Sequence, residues 1–422
     1  MTEVGNKVKL RIKRKLSTKN NVRLRLADYV ALLFLGFGIG RTTQWFYRPI
    51  LLVIGLCWMF LIVKNFFIKN AFLKDSSVIC YLLFVIIYGV LILTSSDIST
   101  TIGYWGSYLI YLILYIMAAY YSQVNKIDKM VLICRILLLW IGILSVFAIL
   151  YYRAYPGAAR LYATHRSDLG GYMIGGGYQL AYISAMILPV IVDRFFKKRG
   201  TLKLLLLGVV MVIEIYMTTS VITMLTMLIG CFVSFAFSGT KKKKIVSFSV
   251  GGMLLILFLV FRNYIGDFLI NLAVGKVVTS FSDMNNATFV RMTEIGTMLK
   301  GNSIANGSAM SLRLDNYLRP LEDIVKSPIW GSIFTTGVNP SASNYNDSTI
   351  ITALETWGIP MAFMSLYPLI HKFKKYKSYI GSILVVVITL FLNPSEGFSL
   401  YAGAIIMLPT LEYMDSQEKE LI

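Results

Sequence analysis

Long runs of apolar residues alternate with short polar segments along the whole chain. A helix that crosses a bilayer needs about 20 predominantly apolar residues, and runs of this kind recur from residue 26 to residue 413. We place twelve spans, several of them short, at 26–43, 48–63, 76–94, 101–122, 130–152, 177–193, 203–218, 221–238, 245–262, 350–370, 378–393 and 397–413. The pattern predicts an all-α, polytopic membrane bundle of about twelve transmembrane helices.

Composition supports a membrane protein. Of 422 residues, 56% are hydrophobic, and the mean hydropathy of +0.67 exceeds what a soluble domain of this size accommodates. All four cysteines fall inside apolar runs, which predicts small core residues rather than disulfides or a Cys-based metal site.

The net charge of +20 could indicate a nucleic-acid partner, but the positions of the charges argue against one. Basic residues are concentrated in short connections between apolar runs, such as 241–244 and 371–377. This is the distribution expected of cytoplasmic loops. With the basic N-terminus inside, alternate connections carry the lysines, so both termini are predicted to be cytoplasmic.

Two of the connections predicted to face outward are large. The first, at 153–176, is rich in arginine and glycine; the second, at 263–349, should contain helices, for which 287–301 and 312–331 have apolar faces. The predicted organisation is a basic N-terminus at 1–25, spans one to nine within 26–262, the outer loop at 263–349, spans ten to twelve within 350–413 and a cytoplasmic tail at 414–422.

On this topology, the inner segments carry 22 Lys and six Arg, whereas the outer segments carry three Lys and nine Arg. Lysine is a point charge, but the planar guanidinium of arginine binds two oxygens of a phosphate or carboxylate at once. An exterior enriched in arginine indicates an anionic, phosphorylated ligand. Contacts to lipid head groups, or capping of helix ends, would place arginines there too.

Three outer arginines are the best candidates for binding that ligand: Arg160, Arg166 and Arg313. Arg319 is a weaker candidate because nearby carboxylates, such as Asp315 four residues earlier, offer it local ion pairs. His165 could act as a base or be a surface residue. Five glycines at 170–177 would let backbone N–H groups approach an anion, although they are equally compatible with a flexible loop.

Four carboxylates are predicted at the depth of the arginine-rich loops: Glu214, Asp347, Glu355 and Glu396. An ionisable side chain within a span is costly, so each needs a partner or a function. Glu214 and Glu355 could each be buried in a structural pair, or line a polar cavity that opens outward. The sequence has no Asp-x-Asp pair, no His/Cys cluster and no phosphate-binding glycine loop, so we predict neither a metal nor a cofactor.

The outer loop and the span after it resemble the O-antigen polymerase and ligase superfamily. In that superfamily an Arg-bearing helix runs into a Pro-x-x-Gly turn, and a short polar stretch then enters a span that contains a glycine. Here Arg313, then Pro328 with Gly331, then 354–358 correspond to these parts. The spacing of Arg160 and Gly171, and of Arg166 and Gly177, is similar to the arginine-and-glycine loops of the polymerase branch.

The resemblance implies a Wzy-type polysaccharide polymerase in a bacterial cytoplasmic membrane, for capsule, exopolysaccharide or O-antigen. Its donor would be an oligosaccharide on undecaprenyl pyrophosphate, with membrane lipids, a flippase and chain-length regulators as further partners. Arg160, Arg166 and Arg313 would hold the pyrophosphate, and Asp347 or Glu396 would be the base. His165, Arg319, Glu214 and Glu355 would complete the substrate site.

Ligases of the superfamily carry a histidine where this chain has Asn346 and Asp347, which favours a polymerase and leaves the base open. Many members also have Thr-x-Ser-Arg opening a middle span, where 218–221 lacks the arginine. A ligase joining a glycan to another acceptor, a transporter of lipid-linked oligosaccharide and a non-catalytic scaffold are the alternatives. A transporter would be expected to show internal repeats and short loops on both sides.

Overall fold

The structure is a computed structural model, and its described part is entirely helical apart from turns and short connections. The predicted all-α fold is therefore confirmed for that part of the chain. The residues described are 23–40, 47–66, 68, 71–93, 98–123, 126–155, 158–159, 177–197, 199–218, 220–238, 241–277, 285–302, 318, 320–332, 348–375, 379–392 and 397–419.

The α-helices are numbered in chain order. They are α1 (Leu26–Gly40), α2 (Tyr47–Phe66), α3 (Ser76–Ile92), α4 (Ile98–Tyr121), α5 (Ile127–Ala154), α6 (Tyr178–Phe196), α7 (Leu202–Met217), α8 (Val221–Phe237), α9 (Lys241–Val260), α10 (Arg262–Val277), α11 (Asn285–Leu299), α12 (Thr349–Lys375), α13 (Ile380–Leu392), α14 (Phe398–Ala402) and α15 (Leu408–Lys419). A π-helical stretch, Gly403–Met407, makes α14 and α15 continuous.

Each of the twelve apolar runs coincides with an observed helix, with ends that differ by a few residues. Within the described residues, three helices are long and apolar enough to cross a membrane: Ile127–Ala154, Tyr178–Phe196 and Thr349–Phe373. Lys244–Val260 and Arg262–Leu272 would make a fourth span if the two, bent by 67° at their junction, count as one. The chain thus has the composition of a membrane protein. Further apolar helical stretches of 10–17 described residues are Leu26–Gly40, Ser76–Ile92, Trp105–Tyr121, Val221–Phe237 and Ile380–Leu392.

Helix α6 is the centre of the bundle. The most apolar part of α6 is 78% buried, against 39% for α5 and 50% for α12. Close packing beside α6 depends on small residues, because a Cβ added at Gly230 of α8 would collide with Val385 and with the backbone of Gly381 on α13. Small residues of this kind let helix backbones approach within a membrane.

Several helix ends meet at one end of the bundle, joined by ion pairs; we call this the ion-pair end. Lys129 of α5 binds the buried Asp28 of α1 at 2.6 Å, and Tyr121 at the end of α4 donates to the same carboxylate at 2.9 Å. Lys372 of α12 binds Asp75, the N-cap of α3, at 3.0 Å.

A second cluster at the ion-pair end joins the ends of α6, α15 and the start of α13. Arg194 binds Asp415 at 2.6 Å, and Arg199 donates to the Asp415 backbone carbonyl at 3.1 Å. The hydroxyl of Tyr379 donates to the Asp415 carboxylate.

The helix predicted over 287–301 is observed as α11, which pairs with α10 in a hairpin that follows α9. The two helices approach closely where Gly266 faces Gly296, since a Cβ on either glycine would lie less than 3.0 Å from the other's backbone oxygen. Lys300 binds Asp267 at 2.6 Å across the hairpin, in an exposed ion pair.

Candidate functional site

The end of the bundle opposite the ion-pair end holds the described residues that the sequence singled out. Here the C-terminal ends of α5 and α7 lie beside the N-terminal part of α6. The Tyr152 hydroxyl, in the last turn of α5, donates to the backbone carbonyl of Gly177 at 3.3 Å. Gly177 precedes α6 with a φ of 67°, a conformation that favours glycine, and it follows directly on the arginine- and glycine-rich stretch.

Glu214, in the last turn of α7, is completely buried in this region. The Ser184 hydroxyl of α6 lies beside the Glu214 carboxyl group. The Tyr152 hydroxyl is close enough to interact electrostatically with the same carboxyl group. Even so, among the described residues neither oxygen of Glu214 has a hydrogen-bond partner of normal geometry, and neither does the Ser184 hydroxyl. A buried polar group without a partner costs about 1–3 kcal/mol. The fold therefore maintains a costly, unsatisfied carboxyl group at this place.

Gln179 adds a second unsatisfied group in the first turn of α6. Its side chain is 7% exposed, and its Oε1 has no hydrogen-bond partner among the described residues. The Gln179 amide occupies the space that a Cβ on Gly397 would need, so the start of α6 packs tightly on the start of α14. Gly397 follows Glu396 directly in the chain, which places this contact next to a predicted base.

A second group of contacts surrounds the kink in α12. Gly358 leaves the helical conformation there, with φ 70° and ψ 172°. A segment at 320–332, which we call the docked segment, lies against this kink. A Cβ on either Gly331 or Gly358 would come closer than 3.0 Å to the backbone of the other's segment, so only glycine fits at both positions.

Hydrogen bonds fix the docked segment to α12. The Ile359 amide donates to the Pro328 carbonyl at 2.8 Å, and the Ser332 hydroxyl donates to the Glu355 carbonyl at 3.1 Å. The Pro-x-x-Gly turn and the glycine of the following span, which are two separate parts of the sequence motif, are therefore in direct contact.

Aromatic packing holds the other side of the kink. Trp357, next to Gly358, makes edge-to-face contacts with Tyr88 at 4.5 Å, Phe84 at 5.5 Å and Tyr108 at 5.9 Å between ring centroids. Offset and edge-to-face aromatic pairs of this kind add to the free energy of burial. The kink is thus held between the docked segment and a buried aromatic cluster of α3 and α4, which fixes the backbone next to Glu355.

Of the predicted site residues, Glu214 and Glu355 are described, and both are closed off from solvent at 0% and 3% exposure. They belong to separate groups of contacts: Glu214 lies among α5, α6 and α7, and Glu355 lies in α12 beside the docked segment. The others lie outside the described residues: Arg160, His165, Arg166, Arg313, Arg319, Asp347 and Glu396.

The prediction missed Gln179, Ser184 and Tyr152. A polar residue early in an apolar run, as Gln179 is, is a signal that could have identified one of them. Ser184 and Tyr152 are ordinary in membrane helices, and only the packing of α5, α6 and α7 identifies them. Within the described residues, no group of three or more His, Cys, Asp or Glu side chains is placed to hold a metal ion.

No family model matches the chain, and none of the curated proteins is found to be similar to it.

Proposed function

We propose that the chain is a polysaccharide polymerase of the Wzy type, which joins oligosaccharide repeat units carried on undecaprenyl pyrophosphate. The observation that carries the proposal is the contact between Gly331 and Gly358. The resemblance to O-antigen polymerases rests in part on the Pro-x-x-Gly turn and on the span glycine. A chance likeness of two sequence stretches gives no reason for them to pack backbone to backbone, whereas a shared architecture does.

The proposed topology has twelve spans, with the ion-pair end in the cytoplasm and the opposite end at the outer face of the cytoplasmic membrane. Lys129, Arg194 and Lys372 at the ion-pair end support this orientation, since basic residues concentrate on the cytoplasmic side. Glu214, Gln179 and Glu355 then face the outer side, where lipid-linked repeat units would be joined.

In the proposed reaction, a hydroxyl oxygen of the incoming repeat unit attacks the anomeric carbon of the growing chain. The bond from that carbon to the pyrophosphate oxygen breaks, and undecaprenyl pyrophosphate leaves with the bonding electrons. Arg160, Arg166 and Arg313 would stabilise the negative charge that develops on the leaving group. Asp347 or Glu396 would accept the proton of the attacking hydroxyl.

Glu214 and Glu355 would bind sugar hydroxyl groups rather than take part in bond breaking. The unsatisfied oxygens of Glu214 and of Gln179 support this role, because each can accept a hydrogen bond from a sugar hydroxyl group. The docked segment would fix Glu355 through its hydrogen bond to the backbone of that residue.

The test uses the purified full chain in lipid vesicles with a defined undecaprenyl-pyrophosphate repeat unit, EDTA and no nucleotide sugar. A ladder of multimers on a gel is the expected result. Arg313→Ala should abolish the ladder, and Arg313→Lys should leave it strongly reduced because a point charge replaces the planar fork. Arg135→Ala is the matched control, since Arg135 lies exposed on α5 near the ion-pair end.

The other outcomes distinguish the alternatives. A single transfer to a different acceptor, with no ladder, would identify a ligase. Movement of the intact lipid-linked unit across the bilayer without transfer would identify a transporter. An unchanged ladder in Arg313→Ala would remove that arginine from the mechanism.

A further inference from the structure

The docked segment carries large apolar side chains that are exposed in the described part of the structure. Val325 is 79% exposed, Ile329 57% and Trp330 61%. The helical part of the segment is amphipathic: Leu321 and Val325 lie on one side, and Glu322 and Lys326 lie on the other. Large apolar side chains exposed together indicate a partner that is itself apolar.

The exposed side of the docked segment continues the outer surface of α12. Ile329 packs against Gly358, and the next residues on the open surface of α12 are Ile359 at 53% exposure and Phe363 at 56%. Helix α12 contains one of the three stretches long and apolar enough to cross a membrane, so its exposed apolar residues face lipid. The same lipid-facing surface therefore extends onto Ile329.

The depth of Gly358 places the docked turn below the membrane boundary. With α12 across the membrane, Lys372, which is near its end and binds Asp75 at the ion-pair end, lies at the level of the head groups. About 20 helical residues cross a hydrocarbon layer of ~30 Å, so the opposite boundary lies near residue 352. Gly358 is then roughly 9 Å inside the hydrocarbon at a rise of 1.5 Å per residue.

Several polar backbone groups on either side of Pro328 have partners within the protein. In lipid, every backbone donor and acceptor needs a protein partner. The Gly331 amide donates to the Ser327 carbonyl at 3.0 Å, and the Ser327 amide donates to the Asp323 carbonyl at 3.1 Å. Pro328 has no amide hydrogen, and its carbonyl accepts from Ile359.

We propose that the docked segment is inserted into the membrane leaflet at the opposite end of the bundle, with Val325, Ile329 and Trp330 in contact with lipid chains. Glu322 and Lys326 stay at the level of the head groups. The partner is the lipid itself, and the inference depends on α12 spanning the membrane but not on the polymerase activity.

Nitroxide labels on single cysteines in the full chain test this. The four native cysteines, all free, are first replaced by alanine. Labels at Val325→Cys and Ile329→Cys should collide with oxygen, which concentrates in lipid, in preference to a water-soluble nickel chelate. Asp323→Cys, on the opposite side of the same helix from Val325, is the matched control, and its preference for oxygen over nickel should be clearly lower.

Trp330 is a native probe that leaves every cysteine in place. In vesicles that contain brominated lipids, the wild-type protein should lose a larger fraction of its tryptophan fluorescence than Trp330→Phe does. Equal quenching would contradict the proposal.

Two label results would also overturn it. Preferential collision with nickel at positions 325 and 329 would place the segment in water above the membrane. Protection from both reagents would mean that protein, either a second copy or a different chain, covers this side.

Discussion

Glu214 at one end of the bundle is held differently from three aspartates at the other end. At the ion-pair end, Asp28, Asp75 and Asp415 each bind a basic side chain from another helix at 2.6–3.0 Å. At the opposite end, Glu214 is fully buried and, within the described residues, has neither an ion pair nor a hydrogen bond. The first arrangement fixes helices to one another. The second leaves hydrogen-bonding capacity unused, which is typical of a site that binds something else.

The fixed contact around Gly358 adds to this comparison, because it shows that the opposite end also contains rigid parts. The docked segment and the aromatic cluster hold the kink from two sides. The unsatisfied groups at Glu214 and Gln179 are therefore not explained by loose packing of that end as a whole.

The largest effect is expected from disrupting that contact. Gly358→Ala should lower the free energy of unfolding by about 3 kcal/mol or more, because it combines a positive φ with a backbone collision. Thermal unfolding in detergent measures the loss, and polymer formation should fall with it.

Gly301→Ala is the control that isolates the cost of a positive φ angle from the cost of the collision. Gly301 has a φ of 76° but open space around it, so alanine there should cost about 1–2 kcal/mol. If both variants lose the same amount, the collision with the docked segment contributes nothing.

Breaking the Arg194–Asp415 pair comes next in size. Asp415→Asn leaves Arg194, whose side chain is 12% exposed, without its carboxylate. Removing one partner of a largely buried ion pair should lower the free energy of unfolding by about 3 kcal/mol, measured by thermal unfolding. Asp267→Asn, which removes a pair whose side chains are 53% and 34% exposed, should cost less than about 0.5 kcal/mol. Similar losses in both variants would mean that burial does not determine how much an ion pair contributes to the free energy of unfolding.

Replacing Glu214 should raise the free energy of unfolding, whereas the substitutions above lower it. Glu214→Leu replaces an unsatisfied buried carboxyl group by an apolar side chain of similar size, and should raise the free energy of unfolding by about 1–2 kcal/mol. The same change should abolish or strongly reduce activity. A variant that is less stable than the wild type would mean that Glu214 has a structural partner, and the two ends would then no longer differ.

The helices were predictable because each apolar run is local: α6, predicted at 177–193, is observed as Tyr178–Phe196. The contacts between helices were not. Lys129 and Asp28 are 101 residues apart, and Lys372 and Asp75 are 297 apart, and nothing in either local sequence selects the partner. The stretches at 328–331 and 358 were singled out from the sequence, but their mutual contact depends on two positive φ angles that the sequence only permits. Likewise, Glu214 stood out as a charge in an apolar run, whereas its neighbours Tyr152 and Ser184 did not.

The smallest effect is expected from Tyr379→Phe, which tests how the ion-pair end is built. The substitution removes the hydroxyl that donates to the Asp415 carboxylate, while the ion pair of Arg194 with the same carboxylate stays. Loss of this one hydrogen bond should lower the free energy of unfolding by about 1 kcal/mol. Chemical unfolding of Tyr379→Phe beside the wild type measures the loss. Unchanged stability would mean that Arg194 alone satisfies the carboxylate of Asp415.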